Sequence, residues 1–422
     1  MKNATLPLAA VLALAASVHA SEWSGGNASW SSDTTPGWSG TGVPNAQGAV
    51  AAFNNVANAT ITQDVTGGVT LGRFLRTGTA SADLTLRAGT GVSPIFIFDQ
   101  DGSGPECAVI SNATPHRISF GSANYTLQDD LVIAYTGGTQ YNNSYCISIS
   151  GIIGGSGNLV LDSNVVNPDY NNIALTGNNT FTGSALVRRG SVYGSGTMFG
   201  NKNNPVTLGE AACGAVIVSL NGSSVTLANP VTVAGNTGGE TTIASKIVTN
   251  KDWTHTVSGT VLLNGDLSLS IPSGSSYKGT FRFTGVISGD GAIHKKGALG
   301  TLLSAANTYA GGTFVDEGAL YVTSAGRLGT GDVAIAAGAT LSISNALAVA
   351  STASVTLDGT LDLPAGVNPT ANALFIDGHQ QFKGTYGAVG SGAANERAAG
   401  FTGLGVLTVL SGPDRGTIIV IQ

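Results

Sequence analysis

Few residues of this chain have the types and spacing that chemistry requires. The segment Asp99–Gly104 places oxygen-bearing side chains at the first, third and fifth positions and glycine at the sixth, as a calcium loop does. The bidentate glutamate expected at the twelfth position is replaced by Ile110, and Glu106 could substitute only along a different loop path. A polar turn is the favoured interpretation, with calcium binding as the alternative.

Signatures of catalysis are incomplete. Ser275–Lys278 has Ser-x-x-Lys spacing, but its partner motifs are missing, and Pro272 and Gly274 oppose the helix that this motif needs. Dense charges occur only at Asp129–Asp130 and Arg188–Arg189. Adjacent residues of a strand point to opposite faces, so neither pair should meet on its own strand. The histidines of the mature chain lack metal-ligand spacing: His116, His255, His294 and His379. We predict no catalytic, cofactor-binding or metal-binding residues.

The composition narrows the class of protein. Charged residues make up 10% of the 422 residues, against roughly 25% in ordinary globular proteins. Glycine contributes 61 residues, about twice its usual share. Such a chain suits many short strands joined by tight turns. The net charge is −6 and no nucleic-acid module is visible, so we expect no nucleic-acid partner.

The first twenty residues have the pattern of a secretory signal peptide. Lys2 forms a charged start, Leu6–Ala16 is apolar, and Val18–Ala20 ends in a small residue before Ser21. The apolar run is shorter than the ~20 residues that a membrane-spanning helix needs. We therefore expect export with cleavage to an extracellular, cell-surface or periplasmic location. No segment of the mature chain is expected to span a membrane.

A fifteen-residue pattern occurs twice, at a constant offset and without a gap. The first copy begins at Asn179–Gly183 and continues to Gly190–Tyr193, and the second begins at Asn307–Gly311 and continues to Gly318–Tyr321. Internal repetition of short strands and glycine turns is typical of a solenoid. We expect Phe181 and Tyr309, which occupy one repeat position, to stack in its core.

Short runs of alternating apolar and polar residues predict half-buried strands. They include Val206–Leu208, Val216–Val218, Val261–Leu263, Leu267–Leu269, Phe281–Phe283, Leu341–Ile343 and Val355–Leu357. Strands this short need stacked neighbours, which favours a β-solenoid over the alternative, a β-sandwich. Asparagines in the turns fit hydrogen-bonded ladders along such a stack.

We divide the chain by this pattern as follows: residues 1–20, signal peptide; 21–150, an irregular N-terminal cap and first coils; 151–287, the first β-helix repeat module; 288–383, the second; and 384–422, C-terminal coils or cap. Trp23, Trp30 and Trp38 are expected to cover the open end of the solenoid, with a sugar-stacking platform as the alternative. If any cysteines pair, we expect Cys107 with Cys146, since Cys213 lies in the first repeat module.

The second copy resembles the autotransporter-associated β-strand repeat family of exported bacterial proteins. The resemblance rests on Gly289–Ile293, Lys296–Gly297, Gly300–Leu302, Asn307–Thr313 and Gly318–Leu320. It implies a right-handed parallel β-helix that is secreted or surface-bound and has no catalytic residues. In the first copy the Lys-Gly segment is replaced by an insertion, and the chain after the second module is too short for an eight-stranded membrane barrel. We therefore expect a passenger-like protein without the translocator.

These observations predict an exported, non-enzymatic β-solenoid that acts as a surface, envelope or matrix scaffold. Glycans and envelope components are its candidate partners, and its oligomeric state stays open. A glycan-binding or cell-contact adhesin is the first alternative, which an exposed row of aromatic residues would favour. A polysaccharide-cleaving β-helix enzyme is the second, which a groove with at least three convergent carboxylates and a basic residue would favour.

Overall fold

The computed structural model describes residues 20–33, 35–40, 42–54, 56, 58–79, 82–100, 107–138, 145–165, 172–235, 238–245, 253–271 and 279–413. Across these ranges the chain has no helix, and its short strands pair in parallel from one coil to the next. The expected all-β, parallel β-helix fold is confirmed. The chain divides into two compact units, Met1–Ser219 and Leu220–Gln422. In the described part, no helix is long and apolar enough to cross a membrane.

Three stacked sheets form the sides of the coils in the first unit. The first sheet contains β4 (Val50–Asn54), β7 (Arg73–Thr77), β10 (Ala108–Asn112), β13 (Leu131–Tyr135), β16 (Leu159–Ser163), β18 (Ala185–Gly194) and β19 (Val206–Leu208). The second contains β2 (Ala28–Ser29), β5 (Ala59–Gln63), β8 (Leu84–Ala88), β11 (Ile118–Phe120), β14 (Ile147–Ile149), β17 (Ile173–Leu175) and the end of β18. The third contains β6 (Val69–Leu71), β9 (Phe96–Phe98), β12 (Tyr125–Leu127) and β15 (Ile153–Gly155). Regular coils thus begin at Val50, well before the sequence pattern becomes regular.

The three N-terminal tryptophans lie at the start of this unit. Strand β1 (Ser21–Trp23) pairs antiparallel with β3 (Trp38–Ser39) and parallel with β4. Trp23, Trp30 and Trp38 are 2%, 0% and 3% exposed, and the Trp30 ring packs 4.6 Å from Trp38 and 4.9 Å from Phe96. Because their faces are buried, the rings cannot stack on a sugar. The rings are buried as expected, and the platform interpretation is wrong.

The second unit has the same construction. One sheet contains β22 (Val231–Val233), β25 (Val261–Leu263) and β28 (Ile287–Gly289). A second, here called the groove sheet, contains β23 (Thr241–Ser245), β26 (Leu267–Ser270), β29 (Ile293–Lys296), β31 (Thr313–Val315), β33 (Val333–Ile335), β35 (Ser354–Leu357) and β38 (Ala373–Ile376). A third contains β21 (Thr226–Leu227), β24 (Thr254–Val257), β27 (Thr280–Phe283), β30 (Thr301–Leu303), β32 (Ala319–Val322), β34 (Thr340–Ile343), β36 (Thr360–Asp362) and β42 (Phe401–Thr402).

Smaller elements complete the strand set. Strand β39 (His379–Gln380) folds back antiparallel on β38. A separate four-stranded sheet contains β37 (Thr370–Ala371), β43 (Leu407–Val409), β40 (Gly384–Ala388) and β41 (Asn395–Arg397). Strand β20 (Val216–Leu220) lies at the boundary of the two units.

The repeated asparagine has the same role in both units. Asn179 Oδ1 accepts a hydrogen bond from the amide of Ile153 in the preceding coil at 3.0 Å, and its Nδ2 donates to the carbonyl of Met198 in the following coil at 3.0 Å. Asn307 makes the equivalent two bonds at 2.9 and 2.8 Å. Each buried amide therefore satisfies backbone groups of two neighbouring coils, which explains why this position is asparagine in both copies.

The aromatic residue two positions later points into the core, as predicted. Phe181 and Tyr309 are both fully buried. Tyr309 keeps its hydroxyl paired with Thr313 Oγ1 at 2.7 Å, and burial raises the pKa of Tyr309 to about 12. The glycines that follow, Gly190 and Gly318, have φ of +85° and +69°, which L side chains rarely adopt. The repeat thus encodes one buried ring and one sharp corner per copy.

The expected disulfide is absent. Neither Cys107 nor Cys146 forms a disulfide, so the predicted pairing of the two is wrong. Cys107 directly precedes β10 of the first sheet, whereas Cys146 directly precedes β14 of the second sheet. The two residues therefore lie at different corners of the coil. Burial raises the pKa of the Cys107 and Cys213 thiols.

Candidate binding groove and charged clusters

The calcium-like loop and the Ser-x-x-Lys motif identified in the sequence lie largely outside the described residues. Residues 101–106 of the calcium-like loop and the Ser275–Lys278 motif are not described. At the start of the loop, Asp99 Oδ1 accepts a hydrogen bond from Gln47 Nε2 at 3.0 Å. Among the described residues, no group of three His, Cys, Asp or Glu side chains is placed to hold a metal ion.

The acidic pair at Asp129–Asp130 serves turns of the first unit. Asp129 Oδ2 accepts from the amide of Gln100 at 2.8 Å, and Asp130 Oδ1 accepts from the amide and the side-chain Nδ2 of Asn158 at 2.9 and 2.8 Å. Both carboxylates therefore bind groups of neighbouring coils and do not converge on a basic residue.

The basic pair at Arg188–Arg189 does meet a carboxylate. Leu161 pairs with Val187, but Asp162 pairs with Arg189, so β18 carries a β-bulge at Arg188. The bulge brings both guanidinium groups to Asp162, at 3.2 Å from Arg188 and 2.6 Å from Arg189. The expectation that the two arginines would point to opposite faces is wrong at this position, because an extra residue in one strand breaks the alternation.

This arginine cluster is a closed ion-pair network. The Asp162 side chain is only 1% exposed, and Arg188 also donates to Glu210 at 2.8 Å. Cys213 Sγ lies 2.7 Å from the carbonyl of Arg188 and secures the same corner. Since the acidic oxygens already accept from arginine, the cluster is built for structure and leaves little capacity for a ligand.

The second unit contains a serine–histidine pair that sequence reasoning missed. Ser245 Oγ lies 2.9 Å from His255 Nδ1, and His255 Nε2 lies 2.9 Å from the carbonyl of Gly222. The carbonyl can only accept, so Nε2 carries the proton and Ser245 donates to Nδ1. Burial lowers the pKa of His255, which keeps the ring neutral. Both side chains are fully buried, so a substrate has no access to them.

Lys295 is a buried cation with a structural role. Its Nζ donates to the carbonyls of Lys296, Gly297 and Glu317 at 2.9, 2.6 and 2.9 Å. Burial lowers the pKa of Lys295 to about 8, against the opposing charges of Glu317 and Asp316. The ammonium thereby joins the turns of two successive coils.

One groove in the second unit gathers polar side chains on neighbouring coils. Its volume is about 270 Å³. We call it the polar groove and define it by Glu240, Thr241, Asp266, Ser268, His294 and Lys296. Ser268 and His294 are cross-strand partners on β26 and β29. His294 and Lys296 are two residues apart on one strand, so they share the outer face of the groove sheet.

An ion pair crosses the face of the groove. Lys296 Nζ donates to Glu240 Oε1 at 2.9 Å, and Ser268 also bonds to the Glu240 side chain. Although desolvation acts to raise it, the pKa of Glu240 is lowered overall by these hydrogen bonds and by the charges of Lys296 and His294. The carboxylate therefore stays ionised near neutral pH. Asp266 Oδ1 accepts from the amide of Ala292 at 2.8 Å, which fixes the second carboxylate.

The histidine of the groove is held on two sides. Its Nδ1 lies 3.0 Å from Asp316 Oδ2, and its ring stacks on Phe314 of the next coil with centroids 4.6 Å apart and an angle of 9°. The partner carboxylate accepts the Nδ1 proton. The His294–Asp316 contact orients the imidazole as in a general acid–base pair. The neighbouring hydroxyl, that of Ser268, is already bonded to Glu240.

Comparison with protein-family models, with curated proteins and with solved structures finds no match to this chain. The site therefore has to be interpreted from its own geometry. Two carboxylates line the polar groove, fewer than the three that the enzyme interpretation requires, and Asp316 reaches it only through His294. The described aromatic residues on the outer face of the groove sheet are Phe314 and Phe375, which are separated by Ala334 and Thr356. They do not form the continuous row that an aromatic adhesin surface would present.

In the sequence, His294 is one of several scattered histidines and has no mark of a site. The usable signal was the spacing on β29, where His294 and Lys296 alternate with Ile293 and Lys295 and must share a face. Glu240 could not be assigned to the same place, because strand order and register decide which coil lies beside which. That information is absent from local patterns.

Proposed function

We propose that this protein is an exported, non-enzymatic β-solenoid scaffold of the cell surface, envelope or extracellular matrix, with right-handed coils. The observation that carries the proposal is how the interior polar residues are used. Asn179 and Asn307 each join three successive coils, and Lys295 joins two. These buried hydrogen bonds between coils support a stack that resists unfolding and holds its surface at a fixed spacing.

The environments of the charged groups support the proposal that the protein is not an enzyme. A general acid or base works best with a pKa near the operating pH. The pKa of Glu240 is instead lowered, the neutral Ser245–His255 pair is sealed in the core, and Asp162 is occupied by two arginines. We also propose, from the repeated pattern in the sequence, that the chain is related to the autotransporter-associated β-strand repeat proteins.

The scaffold role predicts where the protein is found. In cells that express the full chain, the mature protein should begin at Ser21 and should be labelled by a membrane-impermeant amine reagent or be released into the medium. Intact-mass measurement and cell fractionation check both points. A cytoplasmic marker protein serves as the control for lysis. Retention of residues 1–20 in a protein confined to the cytoplasm would refute the proposal.

A further inference from the structure

We propose that the polar groove of the second unit is a binding site for a neutral saccharide. A scaffold needs no pocket, yet this unit has one of about 270 Å³ lined by polar and charged side chains from three neighbouring coils. The scaffold role and the groove are independent, because the coil-bridging residues Asn307 and Lys295 are not among the side chains that define the groove.

The groove offers mainly hydrogen-bond acceptors. The carboxylates of Glu240 and Asp266 supply acceptor oxygens. Lys296 is the main donor at the same face. The complementary ligand is rich in hydroxyl donors and also has oxygen acceptors. Sugar rings have this chemistry, with neighbouring hydroxyls that can bond to one carboxylate.

The charge of the groove excludes acidic ligands. Two carboxylates, those of Glu240 and Asp266, line the groove together with the single ammonium group of Lys296. A field of this sign repels uronate or sulfate groups and lowers their local concentration. A neutral saccharide avoids this penalty and can accept a hydrogen bond from Lys296 through a ring or hydroxyl oxygen.

The size of the groove agrees with a small polar ligand. The volume of about 270 Å³ is just below the ~300–1,000 Å³ of drug-binding pockets, which suits about one sugar residue of a chain.

Binding of the purified mature chain to immobilised dextran, mannan and polygalacturonate tests the proposal. We expect saturable binding to at least one of the two neutral polysaccharides and none to polygalacturonate. The double variant Glu240→Ala/Lys296→Ala should weaken that binding at least tenfold. It removes both members of an exposed ion pair, so it leaves no unpaired charge and should not affect folding.

Two further variants make the result decisive. Asp266→Asn keeps an oxygen for the amide of Ala292 but loses the charge, and it should also weaken binding about tenfold. Arg282→Ala, an exposed change on β27 outside the groove, is the matched control and should bind as the wild type does. Failure to bind either neutral polysaccharide, equal binding by the groove variants, or preference for polygalacturonate would overturn the assignment. None of these outcomes bears on the scaffold role.

Discussion

Replacing Phe181 or Tyr309 by alanine is expected to lower the free energy of unfolding of the unit that contains it by about 3–5 kcal/mol. Both rings are fully buried at the same point of the repeat, between a coil-bridging asparagine and a glycine corner. Truncation removes apolar contacts and leaves a cavity that the backbone of a stacked coil cannot close. Urea denaturation, followed by circular dichroism, measures the loss.

Two controls separate the cavity from other effects. Tyr309→Phe keeps the ring and removes only the hydroxyl bonded to Thr313, so it should cost about 0.5–1.5 kcal/mol. Phe382→Ala removes a ring that is 41% exposed and should change stability by about 0.5 kcal/mol or less. If Phe181→Ala or Tyr309→Ala cost no more than Phe382→Ala, the two rings would not be equivalent core residues of the repeat.

Replacing Asp162 by alanine is expected to destabilise the first unit by about 3–5 kcal/mol. The carboxylate is buried at the β-bulge and accepts from Arg188 and Arg189. Its removal leaves two neighbouring cations, one of them mostly buried, without the anion that holds them together. Asp162→Asn retains the shape of the side chain and should give an intermediate loss, since it removes the charge alone.

The matched control is an ion pair that lies at the surface. Glu240→Ala breaks the pair with Lys296, whose two side chains are 47% and 41% exposed, and should cost about 1 kcal/mol or less because solvent screens both charges. Chemical denaturation of the four proteins gives the comparison. Equal losses for Asp162→Ala and Glu240→Ala would show that the arginine cluster is not the buried network described above.

The sequence predicted the parts of the fold that depend on local pattern. Alternation within Leu341–Ile343 and Val355–Leu357 identified strands, and the exact repeat at Asn179 and Asn307 identified equivalent coils. The β-bulge at Arg188 was not predictable, because its only mark is an extra residue relative to β16, the paired strand of the preceding coil. Similarly, the positions of Cys107 and Cys146 on different corners depend on loop lengths that composition does not specify.

The candidate site was less predictable than the fold. Glu240 and Lys296 are 56 residues apart in sequence, yet their side chains are in contact. The pairing of β23 with β26 and of β26 with β29 brings them together, and register of this kind is set by the whole stack. By contrast, the joint burial of Trp23, Trp30 and Trp38 was predictable. The three residues are close together in the sequence, so the prediction did not depend on the register of distant strands.

The central claim, that the chain is built for structure and carries out no chemical step, is tested most directly by an assay for polysaccharide cleavage. The purified mature chain is incubated with dextran, mannan and polygalacturonate, and new reducing ends and unsaturated products are quantified against buffer and against an active lyase. We predict no product above the buffer level with any substrate. Reproducible product release that is abolished by Asp266→Asn or by Lys296→Ala, but not by Arg282→Ala, would contradict the account and make the polar groove an active site.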